Sequence, residues 1–206
     1  MRRIAIVTLA LLAVMIVASQ LALPPYLEHR VATRLTTGGG SAQVELSAFP
    51  ALRLLFREGS SLRVRARGIT TAIGPPSDTR VLRDLDGFGE VDIEVIGSRV
   101  GPLKVQTFTL VRRHDRPYRA VLDASLSASD VGAFGGGQLG GPLGSLLGGI
   151  AGGTLPFGNT PIPLSLSATL ASDGGTPRAE QVQGAVAGLP AATLIEALAL
   201  AFGSRI

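Results

Sequence analysis

Two segments of the chain alternate apolar and charged residues with the period of a strand. Residues 61–69 alternate leucine, valine and alanine with arginine, and residues 90–95 alternate valine and isoleucine with glutamate and aspartate. A period of two places one side of each strand in a core and the other in solvent. If these strands are neighbours, the arginines face the carboxylates and contribute about 0.2–1 kcal/mol per pair. We therefore expect a solvated, charge-matched outer face; the alternative is that the same rows bind lipid headgroups.

Five further segments have the apolar content or alternation of strands. They are residues 44–46, 103–112, 118–127, 162–171 and 179–187. The polar residues 113–117 suit a hairpin connection, and Ser-Asp-Gly-Gly at residues 172–175 suits a turn. The pattern therefore predicts a strand-rich domain.

Three segments predict helices. In residues 24–37 the spacing of Leu27, Val31 and Leu35 is that of an amphipathic helix, which we expect to begin at the Pro24-Pro25 pair and to cap the core. Residues 49–56 predict a short apolar helix with a proline in its first turn. Residues 189–202 predict a helix that is apolar on nearly all sides, which is typical of a helix enclosed by protein or lipid.

The N-terminus has the pattern of an export signal. Arg2 and Arg3 precede residues 4–23, which carry no charge, and about 20 residues at about 1.5 Å each would just cross a hydrocarbon core. We expect residues 1–23 to be a signal peptide cut before Gln20 or an uncleaved signal-anchor helix. Residues 24–206 would then form a single exported domain at the extracytoplasmic face of the cell membrane or in the periplasmic space, anchored or secreted.

Composition narrows the possible classes of protein. The chain has no cysteine, so an exported domain must be stable without disulfides, and a lipidated N-terminal cysteine is excluded. The net charge is +4, but no basic run interleaves with aromatic residues, so we expect no nucleic-acid partner. Anionic lipid headgroups are plausible partners for the scattered arginines.

A glycine-rich segment occupies residues 132–153. Glycines recur there every four residues, but Pro142 argues against one unbroken helix. We interpret the segment as a flexible loop; the alternative is an apolar flap that touches lipid or covers a pocket.

The sequence offers little support for catalysis. His29 and His114 have no metal-ligand spacing around them, and the residues around Ser145 lack the Gly-x-Ser-x-Gly order of a nucleophile elbow. A calcium loop or a glycosidase pair is suggested by Asp84, Asp86, Glu90, Asp92 and Glu94, but their alternate placement from Glu90 onward fits a strand face better than either. We therefore expect no enzyme activity, no cofactor and no metal.

Parts of the chain resemble the LmeA-like phospholipid-binding family of the actinobacterial cell envelope. The similarity lies in a signal, a short helix, a Phe-Pro step at residues 49–50, a leucine-rich helix and then the strand of residues 61–69. Residues 155–166, followed by Asp-Gly at 173–174, resemble the closing region of that family. The glycine-rich segment and the apolar C-terminal helix depart from it.

The resemblance implies an α+β fold in which a curved antiparallel sheet, with short N-terminal and apolar C-terminal helices, encloses an elongated apolar groove. It also implies binding of phospholipid, with phosphoinositide among the candidates, in support of envelope lipid or lipoglycan assembly. On this hypothesis nine residues line the groove: Phe49, Leu52, Leu55, Phe56, Leu62, Val64, Val91, Ile93 and Val95. The alternative for each is ordinary core packing.

A second hypothesis is a structural or interaction module of the envelope. Its motivation is the glycine repeat between Gly136 and Gly152 and the apolar residues 194–202, which would pack on a membrane partner. The identity of any protein partner is open.

Overall fold

The computed structural model describes residues 2–71, 80–101, 103–126, 161–185 and 195, with side chains from residue 13 onward except at residues 162 and 185. Within these ranges the chain forms a long helix, a 3-10 helix, a short helix and eight strands. The helices are α1 (Arg2–Leu35), the 3-10 helix (Ala51–Phe56) and α2 (Leu82–Asp86). The strands are β1 (Ser41–Ser47), β2 (Gly59–Arg67), β3 (Thr70–Thr71), β4 (Phe88–Val100), β5 (Leu103–Arg113), β6 (Tyr118–Leu126), β7 (Ile162–Asp173) and β8 (Thr176–Ala185).

The strands form one open sheet of order β1-β2-β4-β5-β6-β7-β8, with β3 beside β4. Every neighbouring pair is antiparallel except β2–β4 and β3–β4, which are parallel. The predicted α+β class is confirmed, and the sheet is mostly antiparallel. The predicted antiparallel pairing does not extend to β2–β4, because residues 68–87 are long enough to return the chain to the same end of the sheet.

All seven predicted strands are present. The sequence analysis missed β3 and α2, which have two and five residues and are too short to show a period.

Helix α1 differs from its prediction. It continues through Pro24 and Pro25, so the expected start of a separate helix at these prolines is wrong. A proline inside a helix removes one hydrogen bond and crowds the carbonyl four residues earlier. Here Leu21, one residue whose carbonyl loses its partner, is 74% exposed, so water can satisfy that carbonyl.

The C-terminal half of α1 packs on the sheet as predicted. Leu35 is buried, and Leu27 and Val31 lie against the core. The Glu28 carboxylate accepts a hydrogen bond from the backbone N–H of Leu46 at 2.8 Å, which links α1 to the end of β1. Within the described residues, no helix combines the length and the apolarity needed to cross a membrane.

One face of the sheet carries the core. Alternate residues of β2, β4, β5, β6 and β7 are buried, and Ile195 joins the same cluster. Ile195 is helical and fully buried, in agreement with the predicted C-terminal helix at that position. The remainder of residues 189–202 and the glycine-rich residues 132–153 lie outside the described residues.

Candidate functional site

The structure divides the nine predicted lipid-binding residues into two groups. Five of them are strand residues with exposures of 0–2%, and all belong to the core: Leu62, Val64, Val91, Ile93 and Val95. The other four are exposed and lie in or next to the 3-10 helix: Phe49 at 77%, Leu52 at 39%, Leu55 at 57% and Phe56 at 77%. The two groups therefore do not form one common surface.

The period of the 3-10 helix explains why its leucines divide. Three residues per turn place positions i and i+3 on the same side. Ala51 and Leu54 form the buried side, while Leu52 and Leu55 form the exposed side. The helix ends at Arg57, whose left-handed backbone (φ 60°) turns the N–H of the next residue, Glu58, back to the carbonyl of Arg53. This local geometry holds a row of apolar side chains in solvent.

Helix α1 places a further exposed apolar side chain, that of Leu21, at the same level along the sheet as Phe49. Glu28 and Leu46 lie at the same level because they are hydrogen-bonded, and the three residues from Leu46 to Phe49 span at most about 10 Å. Because α1 runs the opposite way, about seven residues of helix cover the same distance and reach Leu21. Leu21 is 74% exposed. We call Phe49, Leu52, Leu55 and Phe56 of the 3-10 region, with Leu21 of α1, the apolar end.

A depression of about 500 Å³ adjoins the apolar end. It lies between the 3-10 helix and α2 and is lined by Leu55, Phe56, Arg57, Glu58, Arg83, Asp84 and Gly87. Arg57 donates to the carboxylate of Asp84, and the Arg83 Nε atom is 4.0 Å from the same carboxylate. The site therefore combines exposed apolar side chains with two guanidinium groups.

Helix α2 and the Gly87 that follows it lie against the C-terminal end of the 3-10 helix. The Gly59 N–H donates to the carbonyl of Gly87 at 3.0 Å. A Cβ atom at Gly87 would lie 2.0 Å from the carbonyl oxygen of Arg57, so only glycine permits this close approach. The orientation of the apolar end thus depends on the position of α2.

A polar cluster around Asp86 holds α2 against the sheet. The Asp86 carboxylate accepts hydrogen bonds from Arg112 at 3.2 Å, from the Tyr118 hydroxyl at 2.8 Å and from the Ser172 hydroxyl. Arg112 also donates to the carbonyls of Asp86 and Phe88, and its guanidinium lies 4.9 Å from the centre of the Tyr118 ring. We call these four side chains (Asp86, Arg112, Tyr118 and Ser172) the Asp86 cluster.

Burial and the hydrogen bond to Asp86 raise the pKa of Tyr118 well above its usual range. Tyr118 is therefore a neutral donor at all ordinary pH values. The cluster joins α2 to β5, β6 and β7. Sequence reasoning considered Asp86 only as a metal ligand or catalytic acid, because its three partners are distant in sequence.

The outer face of the sheet confirms the predicted charge matching. In the β2–β4 register Arg63 lies beside Asp92 and Arg65 beside Glu94. Arg65 contacts Asp92 at 2.7 Å and Glu94 at 3.0 Å, while Arg63 contacts Glu45 at 3.2 Å. These arginines are thus neutralised by carboxylates within the sheet.

The Arg65–Asp92 pair predicts that the stability of the fold depends on pH, and this can be tested. The hydrogen bond from Arg65 lowers the pKa of Asp92, against the opposing effect of desolvation. Since the folded pKa lies below the unfolded one, the stabilisation is complete above about pH 4 and disappears as the pH falls through the folded pKa. We expect carboxyl-carbon NMR to show Asp92 titrating below the unfolded value, and Arg65→Gln to raise its midpoint. An unchanged midpoint in that variant would contradict the assigned cause.

The described residues contain no group of three or more histidine or acidic side chains able to hold a metal ion. His29 lies on α1, and His114 lies in the β5–β6 connection with a left-handed backbone (φ 53°).

Comparisons with protein-family models, curated proteins and solved structures found no match to this chain. The resemblance to the LmeA-like family therefore stays a prediction from the sequence.

Proposed function

We propose that this chain is a non-catalytic, extracytoplasmic phospholipid-binding protein that supports envelope lipid or lipoglycan assembly. The observation that carries the proposal is the apolar end, where Phe49 and Phe56 are each 77% exposed. Several large exposed apolar side chains within one short segment are typical of surfaces that bind a membrane or a partner. The uncharged residues 4–23 of α1 support the membrane as the partner.

The energetics favour insertion of this end into a lipid surface. Transfer of a phenylalanine side chain from water to an apolar environment stabilises by about 2 kcal/mol. Phe49 and Phe56 together therefore supply about 4 kcal/mol before Leu52 and Leu55 are counted. In this proposal the apolar end enters the boundary between headgroups and acyl chains.

The elongated apolar groove that the resemblance implies is a more specific part of the proposal. Since the five strand residues are 0–2% exposed, an acyl chain reaches them only by displacing the side chains that pack on them. The four exposed residues are therefore the proposed primary lipid contacts, and the strand residues support them from the core.

A membrane-protein partner is the second candidate. Val14, Met15 and Val17 of α1 are 59–67% exposed, which suits packing against another helix as well as contact with lipid. Binding to vesicles that contain lipid but no other protein separates the two candidates, because only the first candidate requires no protein partner.

A single tryptophan can report on the contact, because the chain has none. We expect Phe49→Trp in the full chain, reconstituted into phospholipid vesicles, to fluoresce at short wavelength and to be quenched strongly by lipids brominated on their acyl chains. The matched control is Gln106→Trp, at an exposed position near Gly97, about 30 Å along the sheet from Phe88. It should be quenched weakly.

Further substitution should weaken the contact. Leu55→Ser combined with Phe56→Ser should lower the quenching of the Phe49→Trp reporter at least twofold, because the apolar end loses two of its apolar side chains. Equal quenching at positions 49 and 106 would reject the proposal. Quenching of the position-49 reporter that required an added membrane protein would favour the second candidate.

A further inference from the structure

We propose that the depression between the 3-10 helix and α2 binds the phosphate of an anionic phospholipid through Arg57 and Arg83. This inference rests on the proposed function and names the class of lipid and the residues that select it. The shared chemistry is a phosphate ester, and we commit to the lipid headgroup as its source.

The charges around the depression leave a surplus of guanidinium groups. Arg53 is paired with Glu58 at 3.1 Å, so that acid is already neutralised. Arg57 and Arg83 share the one carboxylate of Asp84. Among the described residues that line the depression, two cations with one remaining anion leave a net positive charge at its mouth.

The two arginines also keep hydrogen-bonding capacity. A guanidinium has five N–H donors, and a carboxylate within reach uses only some of them. The side chains of Arg57 and Arg83 are 60% and 54% exposed, so their other donors can reach a ligand. Arginine matches the oxygen spacing of a phosphate and binds it in a bidentate manner.

The apolar rim favours a lipid over a free anion. Leu55 and Phe56 line the same depression and are 57% and 77% exposed. An inorganic phosphate would leave these side chains in water, whereas a phospholipid would cover them with its glycerol and acyl groups. The volume of about 500 Å³ is sufficient for a headgroup phosphate with its first substituent.

The position of the site agrees with the depth of a headgroup. When Phe49 and Phe56 enter the acyl boundary, Arg57 at the end of the 3-10 helix and Arg83 of α2, on the other side of the depression, stay at the level of the phosphates. Arg63 and Arg65 of β2 are unsuited to this role because Glu45, Asp92 and Glu94 already neutralise them.

The test uses the full-length Phe49→Trp reporter in vesicles of phosphatidylcholine with phosphatidylglycerol. Quenching by brominated phosphatidylglycerol is compared with quenching by brominated phosphatidylcholine, which gives the relative affinity for the anionic lipid. We expect a preference for phosphatidylglycerol of about fivefold for each arginine that contributes. Arg57→Gln with Arg83→Gln should bring the preference close to one.

Two further variants make the test specific. Asp84→Asn removes the competing carboxylate and should increase the preference for phosphatidylglycerol. The control pair, Arg67→Gln with Arg99→Gln, removes the same charge from exposed positions at the other end of β2 and β4 and should leave the preference unchanged. Circular dichroism of each variant checks that it is folded.

The outcomes are distinguishable. An equal loss in the control pair would show only a general charge effect and would overturn the site. Full competition by millimolar glycerol phosphate or inorganic phosphate would show a free-phosphate site and reject the lipid headgroup. An unchanged preference in the Arg57 and Arg83 variant, with strong quenching of the reporter retained, would reject this inference and leave the proposed function intact.

Discussion

Replacing Asp86 with alanine should lower the free energy of unfolding by about 3 kcal/mol. Removing one partner of a buried ion pair typically costs about 3–5 kcal/mol, because the remaining charge has no counter-ion. The lower part of this range applies because the Asp86 side chain is 30% exposed, although that of Arg112 is only 13% exposed. Urea unfolding followed by circular dichroism measures the change.

Asp86→Ala should lower the free energy of unfolding more than a substitution of any one uncharged partner in the cluster. Tyr118→Phe removes one hydrogen bond to Asp86 and should cost about 1 kcal/mol. The matched control is Asp123→Ala, since Asp123 is an exposed carboxylate that accepts from Ser165. It should change stability by less than about 1 kcal/mol. An Asp86→Ala effect as small as that of the control would show that α2 is held by other contacts.

The consequences should extend to lipid binding. Because α2 supports the 3-10 helix through Gly87 and Asp84, loss of the Asp86 cluster should also weaken the presentation of the apolar end. We expect Asp86→Ala to reduce quenching of the Phe49→Trp reporter even at temperatures where the sheet remains folded.

Leu62→Ala should destabilise the protein by about 3 kcal/mol, whereas Leu55→Ala should cost less than about 1 kcal/mol. Leu62 is 1% exposed in the core of β2, so its truncation removes apolar contacts and leaves a cavity. Leu55 is 57% exposed and loses little packing when it is shortened. Thermal and urea unfolding of both variants measure the difference.

Lipid binding should show the opposite order. Leu55→Ala should lower quenching of the Phe49→Trp reporter, and Leu62→Ala should leave it unchanged under conditions where the variant is folded. A Leu62→Ala variant that kept its stability but lost lipid binding would instead favour the elongated groove. This pair of leucines therefore separates core packing from ligand contact for the predicted residues.

The candidate site was only partly predictable. The apolar residues 49–56 were identified, but their exposure was not, because leucine and phenylalanine are equally suited to a core and to a lipid surface. The contributions of Arg83 and Gly87 to the depression had no sequence signal, since α2 has only five residues. The Asp86 cluster joins residues as far apart in the sequence as 86 and 172. A single sequence does not show which of its distant residues come into contact.

Local chemistry determined the strands. Alternation of apolar with charged residues specified which face of β2 and β4 is buried, and the opposite charges of the two strands were compatible with their being neighbours, which the structure shows. Long-range packing decided the rest: the parallel pairing of β2 with β4, the passage of α1 through Pro24 and Pro25, and the assignment of Leu62 to the core and Leu55 to solvent. Period and propensity act over a few residues, whereas exposure depends on which distant surface is available to cover a side chain.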